Sequence, residues 1–425
     1  MHILLIHQAF AAINEPGGTR HHEFARQLVQ RGHRVTIIAS QVSYLTGQTV
    51  GDGGWLTREV DDSGVEILRC RSYSGWHRSF LHRMLSFLSF MAVSFWTGLR
   101  VADVDLVWGT TPPIFQAVTA RWIAGLKRVP LLLEVRDLWP SFAVAVGVLT
   151  NPLLIRLSQW LERRLYHRAD RVVVNSPGFI EHVRSRGAQQ VEVVPNGVDL
   201  AMFERKALDQ SLRHEIGLAE GFLVIYAGAH GMSNDLETVL KTAELLQSEE
   251  DIHFVFLGDG KEKANLMALA ESMELGNLHF LPSIPKNQIA STLMQADAGL
   301  AILLAVDAYK TTYPNKVFDY MAAGLPVVLA IDGVIRQVVE GEGAGLFAQP
   351  GDPAAIAEAV KRLASDSLLA GQMGQAGRRC VEIGFNREHL AAKMAVIMET
   401  TAAMGKGQST DSAAVEIKSG GMDDG

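Results

Sequence analysis

Short apolar runs separated by stretches of helical periodicity recur along the whole chain, the pattern of a parallel sheet fed by crossover helices. In the first half the predicted strands are HILLIHQAF, HRVTIIAS, VEILRC, DLVWGT, PLLLEV, RVVVNS and VEVVPN. After Pro195-Asn196-Gly197-Val198-Asp199 the sequence turns polar, and the alternation then restarts with FLVIYAGA, HFVFLGDG, LHFLPSI, AGLAIL and PVVLAI. Asn-Gly is a turn signal, so the break near residue 200 reads either as a hinge or as an ordinary strand-to-helix loop. Near the end, Asp352 is a good N-cap and Pro353 suits the first helical position, where its missing N–H is not needed.

These patterns predict an N-terminal α/β domain over 1–200 and a second over 201–385. A helix over 386–404 is expected to pack back on the first domain. The tail 405–425, small and polar, cannot bury a core and is expected to be disordered. A chain of 425 residues exceeds what one core usually organises, in agreement with two domains. Hydrophobic residues at 48% and charged residues at 20% exclude a disordered chain.

Charge divides unevenly. Residues 1–200 hold 21 Lys and Arg against 16 Asp and Glu, and the remainder 18 against 30, so the halves carry +5 and −12. The basic half either meets an anionic partner, lipid or phosphate, or simply carries solvated charge. Cys70 and Cys380 lie too far apart in sequence for a disulfide framework or a metal-ligand spacing, which favours a reducing compartment. The N-terminal MHILLIHQAF reads as a buried strand and not as a signal peptide, so a cytoplasmic protein is expected.

The segment RSYSGWHRSFLHRMLSFLSFMAVSFWTGL (71–99) opens with Arg71, Arg78, His82 and Arg83 and is free of charge from Met84 to Leu99. It is too short to span a bilayer comfortably, which takes about 20 apolar residues. It reads either as an interfacial helix, with cations on headgroups and rings in the acyl boundary, or as a crossover helix buried on the sheet.

Two constellations carry candidate chemistry. The loop after the first strand ends in Gly17-Gly18-Thr19 before a helix, where unpaired N–H groups and the helix dipole favour a phosphate. It lacks G-x-G-x-x-G, which removes the main support for a dinucleotide-binding dehydrogenase. In TTYPNKVFDYMAAGLPVVLA, Asn315, Lys316 and Asp319 fall within one turn of a helix that starts after Pro314. Lys316 can neutralise a diphosphate and Asp319 can accept from a ribose diol, although such a pair is often only a surface ion pair. Asp103-Val104-Asp105 resembles a metal-binding D-x-D but falls at a helix-to-strand turn. Gly258-Asp259-Gly260 lacks a third glycine at the dinucleotide spacing, and no His/Cys cluster argues for a metal.

Taken in order, the Gly-Gly loop, EVRDLWP, VVPNGVD, YMAAGLPVV and GLFAQPGDPAAIAEAV resemble the retaining glycosyltransferase family 4 over nearly the whole chain. The likeness is greatest to bacterial surface-polysaccharide enzymes that use amino-sugar donors, including the N-acetyl-L-fucosamine transferases. It implies the GT-B fold, two Rossmann-like doubly wound domains facing a central cleft. It also implies metal-independent transfer, with retention, of an N-acetylated amino sugar from a nucleotide diphosphate donor, expected to be UDP-linked. The implied acceptor is a polyprenyl-diphosphate-linked saccharide in surface-polysaccharide or O-antigen synthesis, met on the cytoplasmic face of the inner membrane. No cofactor and no nucleic acid are implied.

Donor contacts are expected from Gly17, Gly18, His230, Gly231, Gly258, Ile284, Asn315, Lys316 and Asp319, with the base held mainly by backbone at Ser283-Ile284. Asp137 is the expected catalytic residue and Arg136 the acceptor-phosphate ligand, unless Arg136 pairs with Glu134 or Asp137 caps the helix after Pro140. Two departures stand out. The family's two Glu seven residues apart become Thr311 and Asp319, and its Arg/Lys clamp after the first strand of the second domain becomes GAHGMSNDLE, with His230 but no Arg or Lys. A GT-B nucleotide-sugar 2-epimerase and a non-catalytic nucleotide-sugar-binding homologue are the alternatives.

Overall fold

In the computed structural model, the described residues are 1–12, 15, 18–42, 49, 54–75, 80–204, 211–218 and 220–405. Gly17, Arg78 and the tail from 406 onward lie outside them. The first sheet has strands β1 (His2–Ile6), β2 (Arg34–Ser40), β3 (Leu56–Val60), β4 (Glu66–Cys70), β5 (Leu106–Thr111), β6 (Leu131–Val135), β7 (Arg171–Val174) and β8 (Val191–Val193). Between them run α1 (Arg20–Gln30), α2 (Phe80–Arg100), α3 (Ile114–Lys127), α4 (Ser141–Ala145), α5 (Pro152–Arg168) and α6 (Ile180–Ser185). The spatial order is β3-β4-β2-β1-β5-β6-β7-β8, parallel except for the antiparallel edge strand β3.

The second sheet has β9 (Phe222–Ala227), β10 (Ile252–Leu257), β11 (Leu278–Leu281), β12 (Ala298–Ile302), β13 (Val327–Ala330) and β14 (Gly345–Phe347). Its order is β11-β10-β9-β12-β13-β14, all parallel. The helices are α7 (Ser211–Glu215), α8 (Leu236–Leu245), α9 (Lys263–Ser272), α10 (Lys286–Leu293), α11 (Asn315–Ala322), α12 (Val334–Gly341), α13 (Pro353–Ser365), α14 (Ser367–Gly384) and α15 (Arg387–Gly405).

Central strands are mostly apolar because helices cover both faces; every residue of β1, β5, β6 and β12 is buried. Asp352 caps α13 by accepting from the N–H groups of Ala354 and Ala355. Asp105 accepts from the His2 N–H at 2.7 Å, so the Asp103-Val104-Asp105 turn ties α2's exit to the sheet.

Helix α15 follows the second sheet in sequence but packs into the first, with Leu390, Met394, Ala395 and Met398 among Phe24, Leu28, Ile3 and Ile37. The crossing is tied at the Asn-Gly turn. Val198 N–H donates to the Phe385 carbonyl and Arg387 N–H to the Val198 carbonyl, both at 2.9 Å. Gly197 has φ +61°, and a Cβ there would collide with the Phe385 carbonyl oxygen, so the turn requires glycine. Among the described residues no helix is long and apolar enough to cross a membrane.

Candidate active site

In open α/β sheets, ligands bind beyond the carboxyl ends of the strands where strand order reverses. In the first sheet that point lies between β1 and β5, and in the second between β9 and β12. The loops from these ends face one cavity of about 1270 Å³, lined from the first domain by His7, Gly18, Arg136 and Asp137 and from the second by Ser233, Tyr309 and Asn315, among others.

Asp137 lies two residues beyond the end of β6. Its carboxylate reaches the water of the cleft, but protein mass surrounds it, and this dehydration raises its pKa to about 6 even though Arg136 opposes the shift. It does not cap α4, whose N-cap is Pro140 with no side-chain capping bond. Arg136 donates through Nη2 to the Pro112 carbonyl at 2.6 Å.

Glu134 has other partners than Arg136. It is fully buried and accepts from Arg20 Nε at 2.9 Å and from Trp108 Nε1 at 3.2 Å, and it pairs with His21 Nε2 at 2.7 Å. These contacts hold its pKa well below the carboxylate range despite burial, which alone would raise it. Arg20 also donates to the Val194 and Pro195 carbonyls, so the network joins the start of α1, β6 and the chain entering the interdomain crossing. His7 stacks on His21, ring centroids 4.3 Å apart, and burial keeps it neutral.

On the second domain the loops after β9 and β10 and the first turn of α11 converge. Lys316 Nζ is buried, lies 3.6 Å from the Tyr226 ring centroid and has no hydrogen-bond partner. Burial lowers its pKa to about 7. A Cβ on Gly228, which has φ +153°, would fall 3.1 Å from that Nζ, so glycine leaves the ammonium room. Gly258 lies against the Gly228 carbonyl and beside the ring of His230. His230 is fully buried against Phe256 and Phe280 with neither ring nitrogen bonded, and burial together with nearby Lys263 lowers its pKa to about 4. Gly231 immediately follows as the cap of a short turn over Met232–Asn234.

Asp319 accepts two bonds from Lys286 Nζ, at 3.0 and 2.9 Å. Ile284, two residues before Lys286, packs half-buried against the second-domain core. Across the cleft Asn315 accepts from Asn196, the Ser176 hydroxyl donates to the Thr311 carbonyl at 2.5 Å, and Phe142 packs edge-on against Tyr309.

Residues 17–197 match a glycosyl transferase 4-like domain and residues 210–380 match glycosyl transferases group 1. The chain belongs to the GT4-like, GT-B glycosyltransferases.

A similar sequence is Escherichia coli (strain K12) WcaI, named for colanic acid biosynthesis, 26% identical over 325 residues, covering 73% of this chain and 78% of the relative. Among solved structures, sucrose-phosphate synthase from Thermosynechococcus elongatus superposes with TM-score 0.75 at 19% identity, covering 95% of this chain and 99% of that one. Anabaena HepE in complex with UDP superposes with TM-score 0.71 at 16% identity, covering 94% and 100%. At these identities the structural likeness speaks for the fold alone.

Within this glycosyltransferase the residues singled out from sequence fall into groups. Asp137, Arg136, Gly18 and Asn315 share the cleft. His230, Gly258 and Lys316 form the tight cluster behind it. Asp319 stands apart with Lys286. His7, His21, Glu134 and Lys286 were missed as partners. EVRDLWP held Glu134 in view, but nothing in local spacing ties it to Arg20 and His21, more than 100 residues away.

Proposed function

We propose that this enzyme transfers a sugar, an N-acetylated amino sugar, from a UDP-sugar to a polyprenyl-diphosphate-linked saccharide during surface-polysaccharide synthesis, with retention and without a metal. One observation carries the reading: the Lys316 ammonium, buried without a hydrogen-bond partner beside Gly228 at the carboxyl end of β9. An unpaired cation in such a place costs free energy unless an anion completes it, and a diphosphate is the anion that GT-B chemistry brings.

As the sugar–phosphate bond breaks, negative charge grows on the diphosphate, and Lys316 with the backbone N–H groups of the glycine loops offsets it. Asp319 receives the ribose hydroxyls when Lys286 shares or releases it. Ile284 borders the base, and His230 and Gly231 wall the diphosphate. Asp137 takes the proton of the acceptor hydroxyl, and its raised pKa suits a base working near neutrality. Arg136 meets the acceptor phosphate. The exposed apolar residues of α2 hold the enzyme at the cytoplasmic face of the membrane.

The test is a thermal-shift series with UDP-, GDP- and dTDP-sugars, followed by transfer assays with and without acceptor. Stabilisation by UDP-sugars and turnover that requires acceptor support the reading. Turnover of donor alone would instead mark an epimerase, and binding without turnover a non-catalytic homologue.

A further inference from the structure

The position where the family resemblance places a carboxylate is filled here by groups of another kind. Thr311 spends its hydroxyl on the Ala308 carbonyl at 2.7 Å and its own carbonyl on Ser176. Thr312 likewise donates to the Tyr309 carbonyl at 2.8 Å, and Asn315 is tied to Asn196 across the cleft. Among the described residues, the second domain lines the cavity with no Asp or Glu. It presents a hydroxyl pair instead: Tyr309 Oη donates to Ser233 Oγ at 2.5 Å, and both residues line the cavity.

Ser233 belongs to the loop after β9, which begins at Gly228 beside Lys316, and Tyr309 to the turn after β12. The two therefore flank the reversal of strand order in the second sheet. From the other side of the cleft Phe142 packs edge-on against the Tyr309 ring, centroids 5.6 Å apart. Burial, with the Asp137 charge added, raises the Tyr309 pKa, so the phenol keeps its proton and stays a donor. A sugar whose diphosphate meets Lys316 and whose anomeric carbon faces Asp137 has to pass this pair. The substituent next to the anomeric carbon is held closest to the Ser233 loop, since that loop also borders the diphosphate.

A carboxylate only accepts hydrogen bonds, which suits a sugar diol. With the bond between them made, the Ser233 hydroxyl still has a proton to donate and Tyr309 Oη still has lone pairs to accept. Beside them Leu303, whose neighbour Leu304 donates to the Ser233 carbonyl at 3.0 Å, and the Phe142 ring give the cavity an apolar wall. One donor, one acceptor and an apolar surface match the carbonyl, N–H and methyl of an acetamido group. A hydroxyl in the same place makes the polar contact and leaves the wall unfilled. We infer, resting on the nucleotide-sugar reading of the cleft, that Tyr309 and Ser233 are the specificity-determining pair that reads an acetamido group next to the anomeric carbon of the donor sugar.

The test is calorimetric binding to the full chain of UDP, UDP-glucose and UDP-N-acetylglucosamine, the two sugars differing only in the substituent next to the anomeric carbon. The wild type is expected to bind UDP-N-acetylglucosamine at least about tenfold more tightly than UDP-glucose. In Tyr309→Phe/Ser233→Ala that preference is expected to fall to about twofold or less. UDP affinity and Tm should stay near wild type, because both hydroxyls leave together and the ring against Phe142 is kept. A double variant with the wild-type preference, or a wild type that does not distinguish the two sugars, overturns the inference. Should the double variant fail to fold, Ser233→Ala alone, which removes one oxygen from a half-buried loop, is expected to cut the preference about threefold, and an unchanged ratio there overturns it equally. Failure of the wild type to bind UDP or either UDP-sugar would instead sink the nucleotide-sugar reading itself, and this pair would lose its ligand with it.

Discussion

Lys316 Nζ sits 3.6 Å from the centroid of the Tyr226 ring, and that ring face is its substitute for a hydrogen-bonding partner. Cation–π attraction returns about 0.5–2 kcal/mol, less than a buried ammonium loses with its water. The lowered pKa of about 7 measures the shortfall.

The consequence for stability has a definite sign. Below about pH 7 the lysine is charged in folded and unfolded chains alike, and the folded state bears the whole cost. Between about 7 and its ordinary 10.5 the unfolded chain holds a proton the folded one has released, so stability rises with pH. Lys316→Met is therefore expected to raise Tm without ligand, most at or below pH 7 and least near pH 10. It is also expected to lose UDP affinity by at least about tenfold. In the wild type a bound diphosphate raises the lysine's pKa again, so UDP binding at pH 8 takes up a proton, readable by calorimetry in two buffers of different ionisation enthalpy. Unchanged UDP affinity in Lys316→Met would show the nucleotide to be elsewhere.

Asp137 gives a kinetic counterpart. With its pKa raised to about 6, the carboxylate forms across that pH, and kcat/KM is expected to rise through it. Asp137→Asn should lower kcat by about 10²–10⁴-fold and flatten that acid limb. A variant at full rate, or one that keeps the limb, removes Asp137 from proton transfer.

The fold was legible where burial is continuous. β1, β6 and β12 are buried throughout because both faces are covered, and their mostly apolar runs stand out from the sequence. β3 was missed because LTREV is an exposed antiparallel edge without an apolar run, and β14 because three residues carry little pattern. At the site, Lys316 and Asp319 share α11, so spacing brought them into view. Spacing could not reveal that Lys286, 33 positions earlier, occupies the Asp319 carboxylate, or that Lys316 points at Tyr226. Those are tertiary neighbours, set by how helices seat on the sheet.

Thr311, at the position of the family's first Glu, contributes its backbone to the contact between domains. Its carbonyl accepts from Ser176, and a Cβ on Gly178 would fall 2.6 Å from its Cα and oxygen. Gly178→Val is therefore expected to hold the domains apart. If the second domain holds UDP as proposed, UDP affinity should stay near wild type. Turnover should fall on the order of 10²-fold, since donor and acceptor are no longer brought together. Small-angle scattering with UDP should give a larger radius of gyration than the wild type. A variant with normal turnover would show the contact to be incidental.

Helix α2 is a crossover helix on one face and carries exposed apolar side chains on the other. Phe90 is buried in the core at 1% exposure and Phe87 stacks inside the cleft, so these rings belong to the protein interior. Leu81, Leu85, Leu88 and Trp96 form the outward stripe, with Leu81 65% and Trp96 60% exposed, and Trp122 and Leu126 of α3 extend it. Full burial of such side chains is worth about 1.5–3 kcal/mol each, so a few suffice for reversible docking when basic residues add attraction to anionic headgroups. Leu81→Asp, Leu85→Asp and Trp96→Asp are each expected to weaken co-flotation with phosphatidylglycerol vesicles at least about tenfold, leaving Tm and UDP binding unaltered. Phe90→Asp should instead lower Tm, because it places a carboxylate in the core. If the three outward substitutions leave flotation unchanged, α2 is a crossover helix only and the membrane contact must be sought on another face.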